Sequence, residues 1–307
     1  MFELSKLKII RTIGVGTFGR VYLTEYNSKY YALKAVSTST LLKLKQKDHL
    51  NEERKTLYEL FFCKYFVKLI FSFKTSRSYF LVLEYVGGGE LFYWLRKRGP
   101  FKLKDARFYA AEITLALEYL FSKNLLYRDL KPENILLTEK GHIKLVDLGF
   151  AKKLNTLTFT LCGTPEYMAP EKLKSEGYGQ SSDLWSLGIL IYEMLKGMPP
   201  FYSKTPYLIY QKILTETPNY SDMDLIAVDL TEQLLEKDPK KRLSDIDKIK
   251  KHPFFGKIFD VIDTIEPPII PKLSCAGDSQ YFIEYSEEKG DDTIEEKNRV
   301  KLYYSFE

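Results

Sequence analysis

The stretch YRDLKPENILL, residues 127–137, sets Arg128, Asp129, Lys131 and Asn134 in one loop, directly before an apolar run that can anchor it in a core. After a further apolar strand, IKLVDLGFA (143–151) adds Asp147. Asp129 is suited to accept or orient a hydroxyl proton, while Asn134 and Asp147 are the hard oxygen donors that Mg²⁺ prefers. Lys131 would neutralise charge on a phosphoryl group in transfer. Taken one at a time, each of these residues also fits a capped turn or a surface ion pair. Taken in order, they suit a phosphate–magnesium complex.

Gly14-Val15-Gly16-Thr17-Phe18-Gly19-Arg20-Val21 is a GxGxxGxV stretch, in which missing Cβ atoms would let backbone amides approach phosphate oxygens. A dinucleotide-binding loop of the same spacing must open a helix, whereas Arg20 to Tyr26 continues as an alternating strand. An ordinary hairpin turn stays open at this point. Lys34, in YYALKAV, sits inside an apolar strand where an ammonium is costly unless paired. Glu53 of the following helical segment is the preferred partner, because Leu57 and Leu60 then share its core side; Glu52 is the rival. A lone strand lysine can also be an edge residue that snorkels to water.

These residues need a scaffold, and 307 residues suffice for one large domain or two medium ones. The 46 basic and 41 acidic residues are spread along the chain, giving no concentrated footprint for nucleic acid. Cys63, Cys162 and Cys275 are too far apart for a zinc site or a disulfide framework, which fits a reducing compartment. The N-terminus, MFELSKLKII, lacks a signal-peptide core and has no glycine at the second position for acylation. No apolar run reaches the roughly 18 residues of a membrane span. No membrane anchor is expected, and a cytoplasmic or nuclear location fits.

Period-two patterning in KLKIIRTIG, RVYLTEY, YYALKAV, VKLIFSFK and SYFLVLEYV predicts a five-stranded antiparallel sheet, with one helix over 41–61. Beyond GGGE (87–90), LKDARFYAAEITLALEYLFSK and DLWSLGILIYEMLKG have helical period. From residue 256 on, EPPIIPK and a mixed charge run predict an extended tail shaped by the body it lies on.

The joint order of glycine loop, strand lysine, helix glutamate, RD loop and DxG resembles the eukaryotic protein kinases. TPEYMAPE (164–171), DLWSLG (183–188) and KKR (240–242) follow in the family's order. The resemblance implies an α+β, bilobal kinase fold over 7–255, with a small sheet lobe (7–83), a hinge (84–89) and a mainly helical lobe (90–255), then a tail over 256–307. It implies an active enzyme using ATP and Mg²⁺, two ions, with Lys131 and Thr164 contacting the catalytic Asp129. Ile13 and the glycine loop would cover the nucleotide, with Val21, Ala32 and Leu136 about the base, Leu83 at the deep end, Glu84 and Val86 offering backbone contacts, and Glu90 nearby. Glu171 would pair with Arg242, and Asp183 would anchor the catalytic loop. A pseudokinase scaffold would lack Lys34, Asp129 or Asp147, and all three are present.

LCGTPEYMAPE, PPIIPK, GDSQYFIEYSEE and YYSFE narrow the resemblance to the AGC group, and within it to catalytic subunits of cAMP-dependent kinases. Another AGC branch, outside cAMP control, is the alternative. Glu90, Glu133, Glu166 and Glu193 match positions that receive basic side chains in this family, implying Ser/Thr substrates with Arg two and three residues before the acceptor; some of these glutamates could serve internal ion pairs instead. Thr160 occupies the activation-segment position, with His49, Arg128 and Lys152 as its phosphate pocket, and Thr293 resembles a tail phosphosite. The segment FIEY (282–285) would lie by the nucleotide, and Tyr303 and Phe306 would dock on the small lobe. Departures are Leu148 after Asp147, where the family has Phe, the absence of a long N-terminal helix, and Leu157 and Phe159 at positions that grip a cAMP-binding regulatory subunit.

Overall fold

Alternation along the first third of the chain becomes a sheet because each strand has one face to bury. The computed structural model of the protein describes residues 6–16, 19–39, 47–75, 77–154 and 157–286, with residues 47–49 described by backbone alone. Strands β1 (Lys8–Gly16), β2 (Gly19–Tyr26), β3 (Lys29–Ser37), β4 (Leu69–Lys74) and β5 (Ser78–Glu84) form one antiparallel sheet in the order β1-β2-β3-β5-β4. Asn27 and Ser28 both take positive φ in the two-residue turn between β2 and β3, the geometry that matches the twist of a hairpin.

The two faces of β3 have different destinations. Leu33 and Ala35 pack with Tyr22, Phe73, Phe80 and Val82 in a small core. Ala32 and Lys34 face the opposite way, into a cleft. Register sets Lys34 opposite Val21 on β2 and Leu81 on β5, so the ammonium emerges from the middle of the sheet rather than its edge. Helix α1 (Lys47–Glu59) lies against the sheet by Leu57, with Leu60 buried just beyond its end. Of the helix expected over 41–61, residues 41–46 lie outside the described residues.

The second half is mainly helical. After α2 (Leu91–Arg98) and α3 (Leu103–Ser122) come the short strands β6 (Leu125–Leu126), β7 (Ile135–Leu137), β8 (Ile143–Leu145) and β9 (Lys152–Lys153). The helices α4 (Pro170–Leu173), α5 (Gln180–Lys196), α6 (Pro206–Thr215), α7 (Leu225–Leu234), α8 (Ile246–Lys250) and α9 (Ile258–Val261) follow. Ala106, Ala110, Ile113 and Leu117 of α3 and Leu184, Leu187, Ile191 and Met194 of α5 repeat at helical spacing and are fully buried. Helix α5 ends where Gly197 takes a left-handed φ of 83°.

The tail departs from a wholly extended path at its start. Ile258 and Ile262 are buried, so α9 forms one helical turn there, and only the chain from 262 to 286 is free of helix and strand. That stretch returns to the hinge: the Tyr85 hydroxyl donates to Asp278 O at 2.6 Å, the Tyr281 ring packs tilted against Trp94 at 4.9 Å, and Arg11 of β1 donates to Ile283 O at 2.7 Å. Thr293, Tyr303 and Phe306 lie outside the described residues.

One buried ion pair ties the helical half together. Arg242 donates to both Glu171 oxygens at 2.7 and 2.8 Å, and also to Ser181 O and Glu236 O, with its guanidinium 5.0 Å over the Trp185 ring. Removing one partner strands the other charge, a loss of about 3–5 kcal/mol. Glu171→Ala should therefore lower the urea midpoint followed by Trp185 fluorescence, and an unchanged midpoint would contradict a structural role for the pair.

Candidate functional site

Lys34 rises from the middle of β3 with only 17% of its side chain exposed, so carboxylates must meet most of its charge. Its Nζ donates to Glu53 of α1 at 2.7 Å and to Asp147 at 3.0 Å. Burial works against the Lys34 charge, but the Asp147 and Glu53 carboxylates outweigh it and hold the ammonium above its ordinary pKa. Lys34 in turn holds Asp147 below the usual carboxylate range, whereas burial pushes Glu53 up against the pull of Lys34. Glu52 points elsewhere and forms an exposed pair with Lys55 at 2.7 Å.

Asp147 reaches this position because the segment after β8 leaves the strand abruptly. Asp147 takes a left-handed φ of 53°, and the next residues, Leu148–Phe150, make a tight 3₁₀ turn with Leu148 buried. The loop after β6 is held as firmly. Asp183 of α5, fully buried, accepts the Tyr127 N–H at 2.8 Å and the Arg128 N–H at 2.9 Å. Arg128 itself adopts φ 70°, a conformation that persists only when its surroundings over-determine it.

The Asp129 carboxylate collects donors from three directions. Thr164 donates to Oδ1 through its N–H at 3.1 Å and its hydroxyl at 2.9 Å, Asn134 donates Nδ2 to Oδ2 at 2.9 Å, and Lys131 Nζ lies 3.1 Å from Oδ2. Lys131 also donates to Thr164 Oγ1 at 2.9 Å. Gly163 makes this approach possible: at φ 107°, a Cβ there would stand 2.7 Å from Arg128 O.

Between the lobes lies a cavity of about 390 Å³. Ile13, Gly14, Val15, Gly16, Gly19, Val21, Ala32 and Leu83 line its sheet side, and Asp129, Lys131, Asn134, Leu136 and Asp147 its helical side. Glu84, Val86, Glu90 and Glu133 stand along the hinge edge, and Phe282 of the tail closes the mouth. Gly19 is needed for packing alone, since a Cβ there would lie 1.9 Å from Ala35 O. Among the described residues a Cβ on Gly14 or Gly16 would meet nothing nearer than 3.6 Å, so packing against them does not require those two glycines. Thr17 and Phe18 lie outside the described residues.

The donor set suits magnesium bound with phosphate. Asn134 spends its amide N–H groups on Asp129 O and Oδ2, each at 2.9 Å, which leaves the amide oxygen to face a cation. Asp147 adds a carboxylate, and among the described residues no cluster of three or more His, Cys, Asp or Glu could hold a metal alone. Two hard ligands plus substrate phosphates and waters is how Mg²⁺ is usually bound.

Four glutamates stand near one another, Glu90 and Glu133 at the cavity and Glu166 and Glu193 beyond it, under different constraints. Burial, with Glu133 nearby, pushes Glu90 up to about 7. Glu193 is also raised by burial to about 7, against the pull of its bond from Tyr167 and of Arg96, which donates to it at 3.0 Å. Burial raises Glu133 too, and its Oε2 is buried with no protein partner. Glu166 is half-buried.

Thr160 is exposed on the activation segment. The Tyr178 hydroxyl donates to its carbonyl at 2.6 Å, Arg128 reaches that hydroxyl at 3.4 Å, and Lys152 donates to nearby Thr158 Oγ1 at 2.9 Å. The His49 side chain lies outside the description.

Motif order does not point to Val67 and Val146, which also line the cavity. Val146 is signalled only by adjacency to Asp147; Val67 arrives from the α1–β4 loop, which carries no motif. Also unsignalled is Lys144 of β8, buried and donating to the hinge Glu84 at 2.6 Å.

Comparison with known proteins accounts for this geometry. The family model described as protein kinase domain matches residues 7–255. The chain is 42% identical over 301 residues to the human cAMP-dependent protein kinase catalytic subunit PRKX, covering 95% of this chain and 84% of that protein. Identity to the mouse PRKX protein is 46% over 294 residues, covering 92% and 82%. The Drosophila melanogaster cAMP-dependent protein kinase catalytic subunit 3 is 44% identical over 296 residues, covering 93% of this chain and 51% of that protein.

Proposed function

This chain belongs to the protein kinase family, as a serine/threonine kinase, and from that premise we propose that it transfers the γ-phosphoryl group of ATP to hydroxyls that follow arginine residues. The observation that carries the reading is the convergence of Lys34, Asp129 and Asp147 on one cavity from both lobes. Magnesium, two ions, would be held by Asn134 and Asp147 and would supply positive charge to the phosphate oxygens.

The remaining work falls to the chain's own groups. Lys34, aimed by Glu53, exchanges part of its carboxylate company for nucleotide phosphates. Ile13, Val21, Ala32 and Leu136 grip the base while backbone groups of Glu84 and Val86 fix its edge. Asp129 receives or orients the acceptor hydroxyl proton, its carboxylate already aimed by Thr164 and Asn134. Lys131, beside it, neutralises charge that develops on the transferred group. Phosphorylation of Thr160 would add about −1.5 to −2 charges near Arg128 and Lys152 and order the segment. Thr293 is a second candidate phosphosite.

Arginine preference is supported by Glu90, Glu133, Glu166 and Glu193, and most by the unpartnered buried oxygen of Glu133, which a guanidinium would satisfy. Arg96 already occupies one side of Glu193, so a substrate arginine there must share the carboxylate. Control by a cAMP-binding regulatory subunit is supported by the names of the similar proteins, although Leu157 and Phe159, both exposed, depart from the family's residues at the positions that grip such a subunit; inhibition by that subunit, relieved by cAMP, tests it. Among the described residues no helix is long and apolar enough to cross a membrane.

An Arg-Arg-x-Ser peptide with Mg-ATP should be phosphorylated, and Asp129→Ala should reduce kcat by about 10²- to 10⁴-fold. Equal rates in the two proteins would overturn the assignment. Because Glu90 and Glu193 have pKa values near 7, falling pH protonates them and removes the charge that binds arginine. The peptide KM should rise about five- to tenfold between pH 8 and pH 6, while a peptide with alanines for arginines should show a flat profile. A pH-independent KM for the arginine peptide would contradict the role of these carboxylates.

A further inference from the structure

Lys172, on α4, is a buried cation that the proposed chemistry does not use. Only 3% of it is exposed. Its Nζ lies 3.5 Å from Arg128 O, the outer limit of hydrogen bonding, so the contact is chiefly ion–dipole. The same Nζ stands 4.8 Å from the centre of the Tyr178 ring, within cation–π range.

The charged and titratable groups facing it are Asp183 of α5, Cys162 of the activation segment, Arg128 of the catalytic loop, Glu171 beside it on α4, and Tyr178. Glu171 is committed to Arg242 on both oxygens. Arg128 directs its guanidinium to Phe150 O and the Tyr178 hydroxyl. Asp183, fully buried and holding the Tyr127 and Arg128 N–H groups, makes no direct ion pair among the described residues; burial pushes its pKa up, and Lys172, followed by Arg128, is the foremost cation that offsets this.

We propose that Lys172 is a positioning residue of the catalytic loop: its ammonium neutralises Asp183 and holds the Arg128 carbonyl, fixing the backbone that aims Asp129. The left-handed residue Arg128 is then held at both ends, its N–H by Asp183 and its C=O by Lys172. Tyr178, whose ring flanks Nζ and whose hydroxyl donates to Thr160 O, extends the arrangement to the activation segment. Burial lowers the Lys172 pKa, Asp183 and Cys162 draw it back up, and Arg128 lowers it further, for a net fall below the ordinary lysine value. The ammonium is thus lost at lower pH than a surface lysine's, and the loop loosens as it goes.

This inference rests on the phosphoryl-transfer reading, and the test separates the two. In the whole 307-residue chain, Lys172→Met keeps most of the side chain's length but not its charge. It should lower kcat by about tenfold to a hundredfold with KM for ATP and for an Arg-Arg-x-Ser peptide nearly unchanged, and Lys172→Arg should restore part of the loss. The alkaline fall of kcat in the parent protein should vanish in Lys172→Met; a residue that served packing alone would leave that limb in place. Independently of activity or folding of the variants, the ε-carbon of Lys172 in ¹³C-lysine-labelled parent protein should titrate below the ordinary lysine range. An inactive parent protein refutes the phosphoryl-transfer reading and leaves the titration to decide this one. An active parent with an unchanged Lys172→Met profile, or a Lys172 that titrates with surface lysines, overturns the proposal.

Discussion

A single ammonium in the middle of an apolar sheet governs how the two halves of this protein meet. Lys34 is flanked in register by Val21 and Leu81, and only 17% of its side chain is exposed, toward the cleft. Its partners come from two other elements, Glu53 from α1 and Asp147 from the segment after β8. Leaving the buried Glu53 charge alone would cost several kcal/mol, and the half-exposed Asp147 less, so the sheet, α1 and the helical half favour one mutual arrangement. The cleft between them is therefore floored by charge at one point and by apolar side chains around it.

Across the cleft, rigidity comes from hydrogen bonds rather than from regular structure. Asp129 sits on a loop, yet donors from Thr164, Asn134 and Lys131 converge on its carboxylate. The backbone beneath it hangs from Asp183 on the long helix α5. Two non-glycine residues with positive φ, Arg128 and Asp147, flank the reacting region. Their strain is sustained by buried partners, as is usual where a loop must present polar groups at fixed angles.

The five strands and the helical second half were legible because each element has a clear period: Leu33 and Ala35 alternate with Ala32 and Lys34, and α3 repeats buried alanines at helical spacing. Motif order also pointed to most of the polar residues around the cavity, since Lys34, Asp129, Asn134 and Asp147 sit in short, distinctive stretches. The helical turn α9 was hidden by the proline-rich segment that follows it, and only the burial of Ile258 and Ile262 explains it. Lys172 and Lys144 were illegible for a different reason. Neither lysine belongs to a motif that marks it as buried, and the burial of each depends on distant groups, Asp183 in one case and Glu84 in the other, that lie 11 and 60 residues away.

The central claim is that Lys34 and Asp147 act on the same phosphate group, and a double-mutant cycle on phosphoryl transfer tests it most directly. Lys34→Met and Asp147→Asn should each lower kcat/KM for ATP by at least about 10²-fold, and the double variant should be scarcely worse than the poorer single one, because both remove parts of one unit. Losses that multiply, or a single variant with undiminished activity, would show that the two side chains do not serve a common substrate.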